Sequence, residues 1–384
     1  MRFEFATARR IIFGAGSLRE VISEAPSLGR KCLVVSGRNG LRWPALLDQL
    51  KECGIAPILY PVTKEPTTGI VTQGALIAQD QGCDSVIAIG GGSVMDAGKA
   101  IAALMTNTGD LYDYLEIVGK ALPIPEPPAP YIAIPTTAGT GSEVTRNAVI
   151  LSEGHGVKVS LRSSLLLPRL VIVDPELTYS LPPDITASTG LDALTQLLES
   201  YVSNSANPLT DGICREGLQR AARSLFSAYK DGSNASARED MSLASLLSGI
   251  ALANARLGAV HGFAAAAGGQ CQVSHGLICA SLLPHVVEKN IEALRKRSPG
   301  SSALKRFEDV ARIITGRQSA CPEDAAAWIH DLCASMSVPG LTGLGVAPRL
   351  FSDIVTKAGR ASSMKGNPIV LTDDELTQIL EKAK

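Results

Sequence analysis

The chain has no run of like charges, no paired-cysteine motif, no long apolar stretch and no internal repeat, and each absence removes a class of function. Its 36 Lys and Arg stand against 37 Asp and Glu, a formal net charge of −1. With no block of either sign, nucleic acid and anionic membranes are not expected as partners. Eight cysteines are scattered at 32, 53, 83, 214, 271, 279, 321 and 333. None forms a CxxC pair, which argues against a zinc ribbon or a redox dithiol. Isolated cysteines in a chain of this size read as buried thiols of a reducing cytosol. The opening "MRFEFATARRIIFGAG" lacks the apolar core of a signal peptide, and nothing approaches the ~18–20 uninterrupted apolar residues of a membrane span. A cytoplasmic protein is therefore expected.

What is present suits a compact enzyme. The 384 residues are 45% hydrophobic and 19% charged, enough for a large core divided over two or three domains. "KCLVVSG" (31–37), "APILYPV" (56–62), "DSVIAIGGG" (84–92), "YIAIPTT" (131–137) and "RLVIVDP" (169–175) are apolar throughout rather than alternating. Such runs predict strands buried on both faces of a parallel sheet. "WPALLDQLKECG" and "TQGALIAQDQG" between them carry helical periodicity and end at glycine. After Pro182-Pro183 helical patterns follow one another, and "LTDDELTQILEKAK" closes the chain with Thr372 and Glu375 spaced as a capping box. The fold class is therefore α/β plus all-α. A doubly wound, Rossmann-like nucleotide domain over 1–182 precedes a helical domain over 183–384.

Two glycine-rich turns stand at predicted strand ends, where doubly wound sheets bind ligands. In "IGGGSVMDAGKAIAA" (89–103) Gly90, Gly91 and Gly92 lead into a helix whose free N–H groups suit a phosphate. The spacing is neither GxGxxG nor, despite Lys99, that of a Walker loop. A tight turn without ligand remains the alternative. In "IPTTAGTGSEVT" (134–145) Thr136 and Thr137 can hydrogen-bond a cofactor or cap the next helix.

The helical half holds a second ambiguity. In "STGLDALTQLLESYVS" (188–203) Leu191, Leu194, Leu198 and Tyr201 mark a buried stripe. Asp192, Gln196 and Glu199 run beside it, either as a solvated face or with Asp192 and Gln196 aimed together at a ligand. A further alternative is that Thr189 caps the helix and Asp192 sits in its first turn. Downstream, His261 and His275 are each followed by glycine, and His285 closes "LLPH". Carboxylate and imidazole together suit zinc or ferrous iron.

These motifs resemble the iron-containing, or group III, alcohol dehydrogenases. The likeness runs through "IIFGAGSL", "GGGSVMDAGKA", "IPTTAGTGSEVT", "VIVDPELTYSLPP", "GLDALTQLLESYVS", "GAVHG", "SHGLICASLLPHV" and "NPIVLTDDEL". It implies a Rossmann-like domain joined to a helical one, with a nicotinamide cofactor (NAD or NADP) and a divalent metal (Fe2+ or Zn2+) in the cleft between. It also implies interconversion of alcohols with aldehydes or ketones, and dimeric or larger assembly.

Residue by residue, the resemblance places the metal at Asp192, Gln196, His261 and His275, with Asp192, His261 and His275 as the catalytic centre. The family usually has histidine where this chain has Gln196, a weaker donor, and often another histidine near the substrate where this chain has Ala265. Three ligands suffice for a catalytic metal, an arrangement like that of the related glycerol dehydrogenases. Gly91, Gly92 and Ser93 are implied on the pyrophosphate, with Thr136, Thr137 and Lys158 lining the cofactor. Asp96 lies nearer the nicotinamide or fixes the loop. Gly37 stands where an acidic residue would refuse a 2′-phosphate, and Arg38 follows it, so NADP is expected to be accepted. Two other readings stay open: a maleylacetate reductase-like enzyme without a strongly bound metal, and a catalytically silent nucleotide-binding or assembly protein.

Overall fold

The computed structural model describes residues 2–37, 43–268 and 273–384, and these form two compact units. One comprises Ala6–Thr137 and Gly141–Thr178; the other comprises Met1–Phe5, Ala138–Thr140 and Tyr179–Lys384. The transition at 178–179 lies just before the Pro182-Pro183 pair. Two short pieces, the N-terminal residues and 138–140, join the helical unit although they precede it in the chain.

The sheet unit runs β1 (Ile11–Phe13), α1 (Glu20–Glu24), β2 (Lys31–Ser36), α2 (Pro44–Glu52), β3 (Ala56–Pro61), α3 (Thr68–Asp80), β4 (Ser85–Gly90), α4 (Gly92–Thr106), α5 (Leu111–Tyr114), β5 (Tyr131–Pro135), β6 (Asn147–Ser152), β7 (Val157–Arg162) and β8 (Leu170–Val173). Six strands make one parallel sheet in the order β1-β8-β5-β4-β2-β3. Val34 on β2 pairs with Leu59 of β3 on one side and Ile87 of β4 on the other. The five apolar runs all become strands of this sheet. β4, β5 and β8 are buried at every residue, as two-sided packing requires, whereas edge strand β3 is largely exposed. α2 and α3 end where expected: Gly54 and Gly82 take left-handed φ values of 86° and 65° just past their last turns.

Two features escape the apolar-run criterion. β1 is only three residues long, too short to show a pattern. β6 and β7 form a separate antiparallel hairpin, and their buried and exposed residues alternate as in a sheet with one wet face.

The strand order carries functional information. From β2 the chain moves outward to β3, then crosses back to place β4 on the other side of β2. That reversal is the topological switch point of an open α/β sheet, and ligands bind beside it at the carboxyl ends of the strands. Gly37 follows β2 and the Gly90–Ser93 turn follows β4, so both flank it.

Lys99 is the hidden tether of this region. Its ammonium, fully buried, donates to the carbonyls of Ser142 (2.8 Å) and Asn147 (2.6 Å) and to Thr145 Oγ1 (2.9 Å), and it lies 3.3 Å from Asp96 Oδ1. Burial lowers its pKa, and Asp96 and Glu143 recover only part of the shift. Asp96 in turn accepts from the Ser142 hydroxyl and from the Val149 amide (3.1 Å). Helix α4 is thereby locked to the 142–149 segment.

In the helical unit, α6 (Pro183–Val202), α7 (Pro208–Lys230), α8 (Ala235–Ala255), α9 (Ala259–Gly268), α10 (His275–Arg297), α11 (Ser302–Thr315), α12 (Pro322–Ser335), α13 (Phe351–Arg360) and α14 (Asp373–Lys382) follow in order, and the described residues contain no strand. The capping box at Thr372 and Glu375 is present at α14. α6 packs on α7, α8 and α10 and is central to the apolar core. It begins earlier than the 188–203 pattern suggests, because Pro183 occupies the first helical position, where a missing N–H costs nothing. Thr189 is therefore not a cap: its hydroxyl donates back to the Ile185 carbonyl inside the helix. Among the described residues no single helix is long and apolar enough to cross a membrane. The expectation of uniformly buried thiols needs correction, since Cys321 is exposed and Cys53 and Cys83 are half-buried.

Glu143 gives the sheet unit a pH dependence. The residue is buried, and desolvation pushes its carboxyl from 4.5 up to about 7 against the pull of its own backbone amide and Lys99. The folded state then holds this proton more tightly than the unfolded chain. Its stabilising contribution is complete below about pH 4.5 and is lost as pH rises through about 7. Glu143→Gln removes the titration, so the variant should gain on wild type by about 3 kcal/mol between pH 5 and pH 8. Thermal melts of both proteins across that range check this. A gap that does not widen with pH would count against a buried, protonated Glu143.

Candidate functional site

Asp192, Gln196 and Glu199, the polar line on α6, are each no more than 3% exposed. They are not a solvated face. Each carries a different set of partners, and together they organise three helices.

Glu199 reaches the N-terminus of α9. Its Oε1 accepts from the Val260 amide (2.7 Å), and its Oε2 accepts from the His261 amide (3.4 Å) and approaches His261 Nδ1 at 2.7 Å. A carboxylate at a helix N-terminus is favoured by the exposed amides and the helix dipole. With Nδ1–H donated to Glu199, the neutral imidazole keeps its lone pair on Nε2. That nitrogen lies 3.3 Å from Asp192 Oδ1.

His275 is the first residue of α10 and comes close to Asp192 because the following residue is glycine. A Cβ at Gly276 would stand 2.1 Å from the carbonyl oxygen of Ser188, one turn before Asp192, so any side chain would push α10 away from α6. Ser188 and Ser274 hydroxyls pair across the same contact at 2.6 Å. His275 Nε2 lies 3.9 Å from Asp192 Oδ1. The side chain of His275 is 39% exposed, whereas those of Asp192 and His261 are 3% and 8% exposed. The centre is therefore buried on the α6 side and open at His275.

Cys279 follows His275 by one helical turn. Its sulfur lies 3.7 Å from His275 Nε2 and 4.0 Å from His261 Nε2. One donor atom from each of Asp192, His261, His275 and Cys279 falls within 4.8 Å of all the others, the geometry of a metal-binding group. Asp192 Oδ1 has no hydrogen-bond partner although it is buried. An orphaned carboxylate oxygen in the interior is costly, by about 1–3 kcal/mol for a neutral group and more for a charged one. A cation removes that cost. The residues therefore fit a divalent metal.

Charge coupling at this centre is mutual. Burial opposes ionisation of Asp192, but His261 and His275 hold its carboxyl below the usual range. Burial likewise opposes the Cys279 thiolate, and the same two imidazoles outweigh it, drawing the thiol below its ordinary value. His275 is raised chiefly by Cys279. His261 is raised well above its usual value by Cys279, Asp192 and Glu199 against the effect of burial.

Gln196 is turned elsewhere. Its Nε2 donates to Asp192 Oδ2 (3.2 Å), and its Oε1 accepts from the Ser248 hydroxyl (2.9 Å). Beside a carboxylate the amide must present its NH2 group, which leaves its oxygen facing Ser248. Ala265 is exposed on α9, and His285 does not join the cluster.

In the sheet unit, Gly91 caps α4 with extended backbone, and Gly91, Gly92 and Ser93 are half-buried. The first-turn amides of such a helix have no intrahelical acceptors. A Cβ at Gly91 would press on Thr137 at 3.3–3.4 Å. Thr136 is tied to the turn by its amide, which donates to Gly90 O at 2.9 Å. Thr136 and Thr137 are half-buried, and Gly37 has open space where a Cβ would be. Asp96 is committed to the loop tether. Lys158, on β7, pairs with Glu65 at 2.6 Å. Arg38 lies outside the described residues.

The sequence reading assigned no role to Cys279, Ser248 or Glu199. Only Cys279 left a legible trace, its i, i+4 spacing from His275 on one helix.

Two family models match the chain, iron-containing alcohol dehydrogenase over residues 8–175 and the C-terminal region of the Fe-containing alcohol dehydrogenase family over 186–384. Alcohol dehydrogenase 4 of Schizosaccharomyces pombe is 38% identical over 378 residues, covering 97% of this chain and 87% of the relative. The solved structure of a 1,3-propanediol oxidoreductase superposes with a TM-score of 0.92 at 34% identity and covers 100% of both chains. A sulfoacetaldehyde reductase from Bifidobacterium kashiwanohense, solved in complex with NAD+, gives 0.88 at 29% identity, covering 100% of this chain and 99% of the other. Together with the parallel sheet and the helical unit that follows it, these matches show that the chain belongs to the iron-containing alcohol dehydrogenase family and is an enzyme of that family.

Proposed function

We propose that this enzyme is a divalent-metal-dependent, nicotinamide-linked alcohol dehydrogenase acting on small alcohols and the corresponding aldehydes or ketones. The observation that carries the reading is the buried, unpartnered Asp192 Oδ1 facing two imidazoles. When bound, ferrous iron or zinc supplies Lewis acidity toward an alcohol or carbonyl oxygen, and the nicotinamide gives or takes the hydride.

The chain's own residues do the positioning. Asp192, His261 and His275 hold the ion. Glu199 fixes the His261 ring and its tautomer. Gln196 is a positioning residue on this reading, because its donation to Oδ2 keeps the other carboxylate oxygen directed at the ion. The partial exposure of His275 leaves a side from which substrate can approach. A directly bound carboxylate substrate fits less well, since the unpartnered oxygen of Asp192 would repel it.

For the dinucleotide, the amides of Gly91, Gly92 and Ser93 at the start of α4 offer the pyrophosphate a site beside the switch point. Thr136 and Thr137 stand at the end of the neighbouring strand, and Lys158 gives a cationic side chain on the hairpin. Asp96 serves the site by holding the 142–149 loop. After β2 no carboxylate stands at Gly37 or Arg38, so both NADH and NADPH are expected to be accepted.

Four outcomes test this reading. His261→Ala should lose both bound metal and aldehyde reduction after chelation and reconstitution with zinc or ferrous iron. Full activity of thoroughly metal-free wild type would overturn the metal and favour the maleylacetate reductase-like alternative. Gly91→Val should lose dinucleotide affinity, measured by fluorescence titration with NADH, while its helix content by circular dichroism stays at the wild-type level. Arg38→Ala should shift the ratio of kcat/KM for NADPH and NADH toward NADH by about tenfold, the scale of one charge-assisted hydrogen bond. An unchanged ratio would place the 2′-phosphate elsewhere.

A further inference from the structure

We propose that Cys279 is a metal ligand, its thiolate completing an Asp192–His261–His275–Cys279 donor set that favours a thiophilic divalent ion such as zinc. The proposal rests on the metal reading above and goes beyond it by naming the fourth donor and the selectivity it confers.

The geometry carries the assignment. Tetrahedral zinc with bonds of about 2.0–2.3 Å to oxygen, nitrogen and sulfur places its donors roughly 3.3–3.6 Å apart. Here Nε2 of His261 and Oδ1 of Asp192 are 3.3 Å apart, and Nε2 of His275 and the same oxygen 3.9 Å. The sulfur is 3.7 Å from one imidazole and 4.0 Å from the other. These four distances exceed the tetrahedral values by no more than about half an ångström, and the remaining donor pairs lie within 4.8 Å. Asp192 Oδ1, the buried oxygen without a partner, belongs to the same group and points independently to a cation.

Gln196 is not available for the fourth position, since its amide is held by Asp192 and Ser248. Sequence spacing supports the substitution of one donor pair for another. Asp192 and Gln196 are one turn apart on α6, and His275 and Cys279 are one turn apart on α10, where the second member presents sulfur to the cluster. As the metal–sulfur bond forms, the thiol proton leaves to solvent. Thiolate is the softest donor in the set, and soft ligands shift preference toward zinc.

The test is cobalt(II) reconstitution of the full-length, metal-free enzyme, followed by absorption spectroscopy. A thiolate ligand gives a sulfur-to-cobalt charge-transfer band in the near ultraviolet, whereas oxygen and nitrogen donors give only the visible ligand-field bands. Wild type should show the near-ultraviolet band. Cys279→Ser should lose it while retaining visible absorption, and zinc affinity should fall by at least about tenfold, the scale produced by removing even a supporting group. Cys279→Ala provides a second variant should the first misfold, with circular dichroism checking both. Cys333→Ser, which removes a buried thiol that donates to the Ala280 carbonyl, should keep the band. Visible absorption without the near-ultraviolet band in wild type, or a band surviving in both Cys279 variants, overturns the assignment and leaves the metal reading standing. No cobalt absorption in wild type overturns the metal reading and this inference with it.

Discussion

A carboxylate oxygen buried without a hydrogen-bond partner is the constraint on which the helical unit turns. Asp192 Oδ1 lies inside α6, a helix packed on three others, where water cannot solvate it. The neighbouring elements serve to place complementary groups against that one atom. Glu199, two turns along the same helix, anchors the start of α9 and with it His261. Gly276 lets α10 approach the backbone of α6 at Ser188 and brings His275 and Cys279 with it. The close approach of helices, normally set by apolar side chains, is here set at one end by polar atoms that must meet.

A different solution operates in the sheet unit. A lysine on a helix that follows a glycine turn invites comparison with phosphate-binding loops, yet Lys99 has no charge to spare for a phosphate. Its ammonium is enclosed by two carbonyls, a hydroxyl and the Asp96 carboxylate. The lysine instead organises the loop after β5, and through Asp96 it ties that loop to α4. Neutral helix amides and hydroxyls are left to face an anion at the turn. Such donors suit the dinucleotide pyrophosphate proposed for this turn.

Much of this was legible in the sequence wherever a signal is local. Apolar runs declared five of the six strands of the sheet, most clearly β4, β5 and β8, where burial on both faces leaves no room for polar residues. The glycines after α2 and α3 and the capping box of α14 were readable because a cap is decided within four or five residues. The β6–β7 hairpin was missed because its alternation is short and carries serine and lysine among its apolar residues. Thr189 was misread as a cap because leucine periodicity begins later than the helix, which Pro183 had already started. The carbonyl and hydroxyl partners of Lys99, the Glu199–His261 contact and the Ser248–Gln196 contact join residues 43 to 62 positions apart. No periodicity reports such pairings, since they are settled when the elements pack. Gln196 shows the limit most clearly. Its position on the polar face of α6 was evident, but the direction of its amide depended on a serine from another helix.

The charges at the centre finally bear on which substrates it can tolerate. Gln196 is neutral, and Glu199, engaged by His261 and two backbone amides, keeps its negative charge on the far side of the imidazole from the ion. With Cys279 as thiolate, Asp192 and Cys279 supply two negative charges, which balance a divalent cation, and the two imidazoles coordinate as neutral donors. With the Glu199 carboxylate behind His261, such a centre would be net negative, which disfavours an anionic substrate and leaves a neutral one unpenalised. Thiolate donation also binds the ion firmly while moderating its pull on a substrate oxygen. On the proposed donor set, firm retention of the metal and mild polarisation of an uncharged alcohol would be two consequences of one donor choice, made a single helical turn beyond His275.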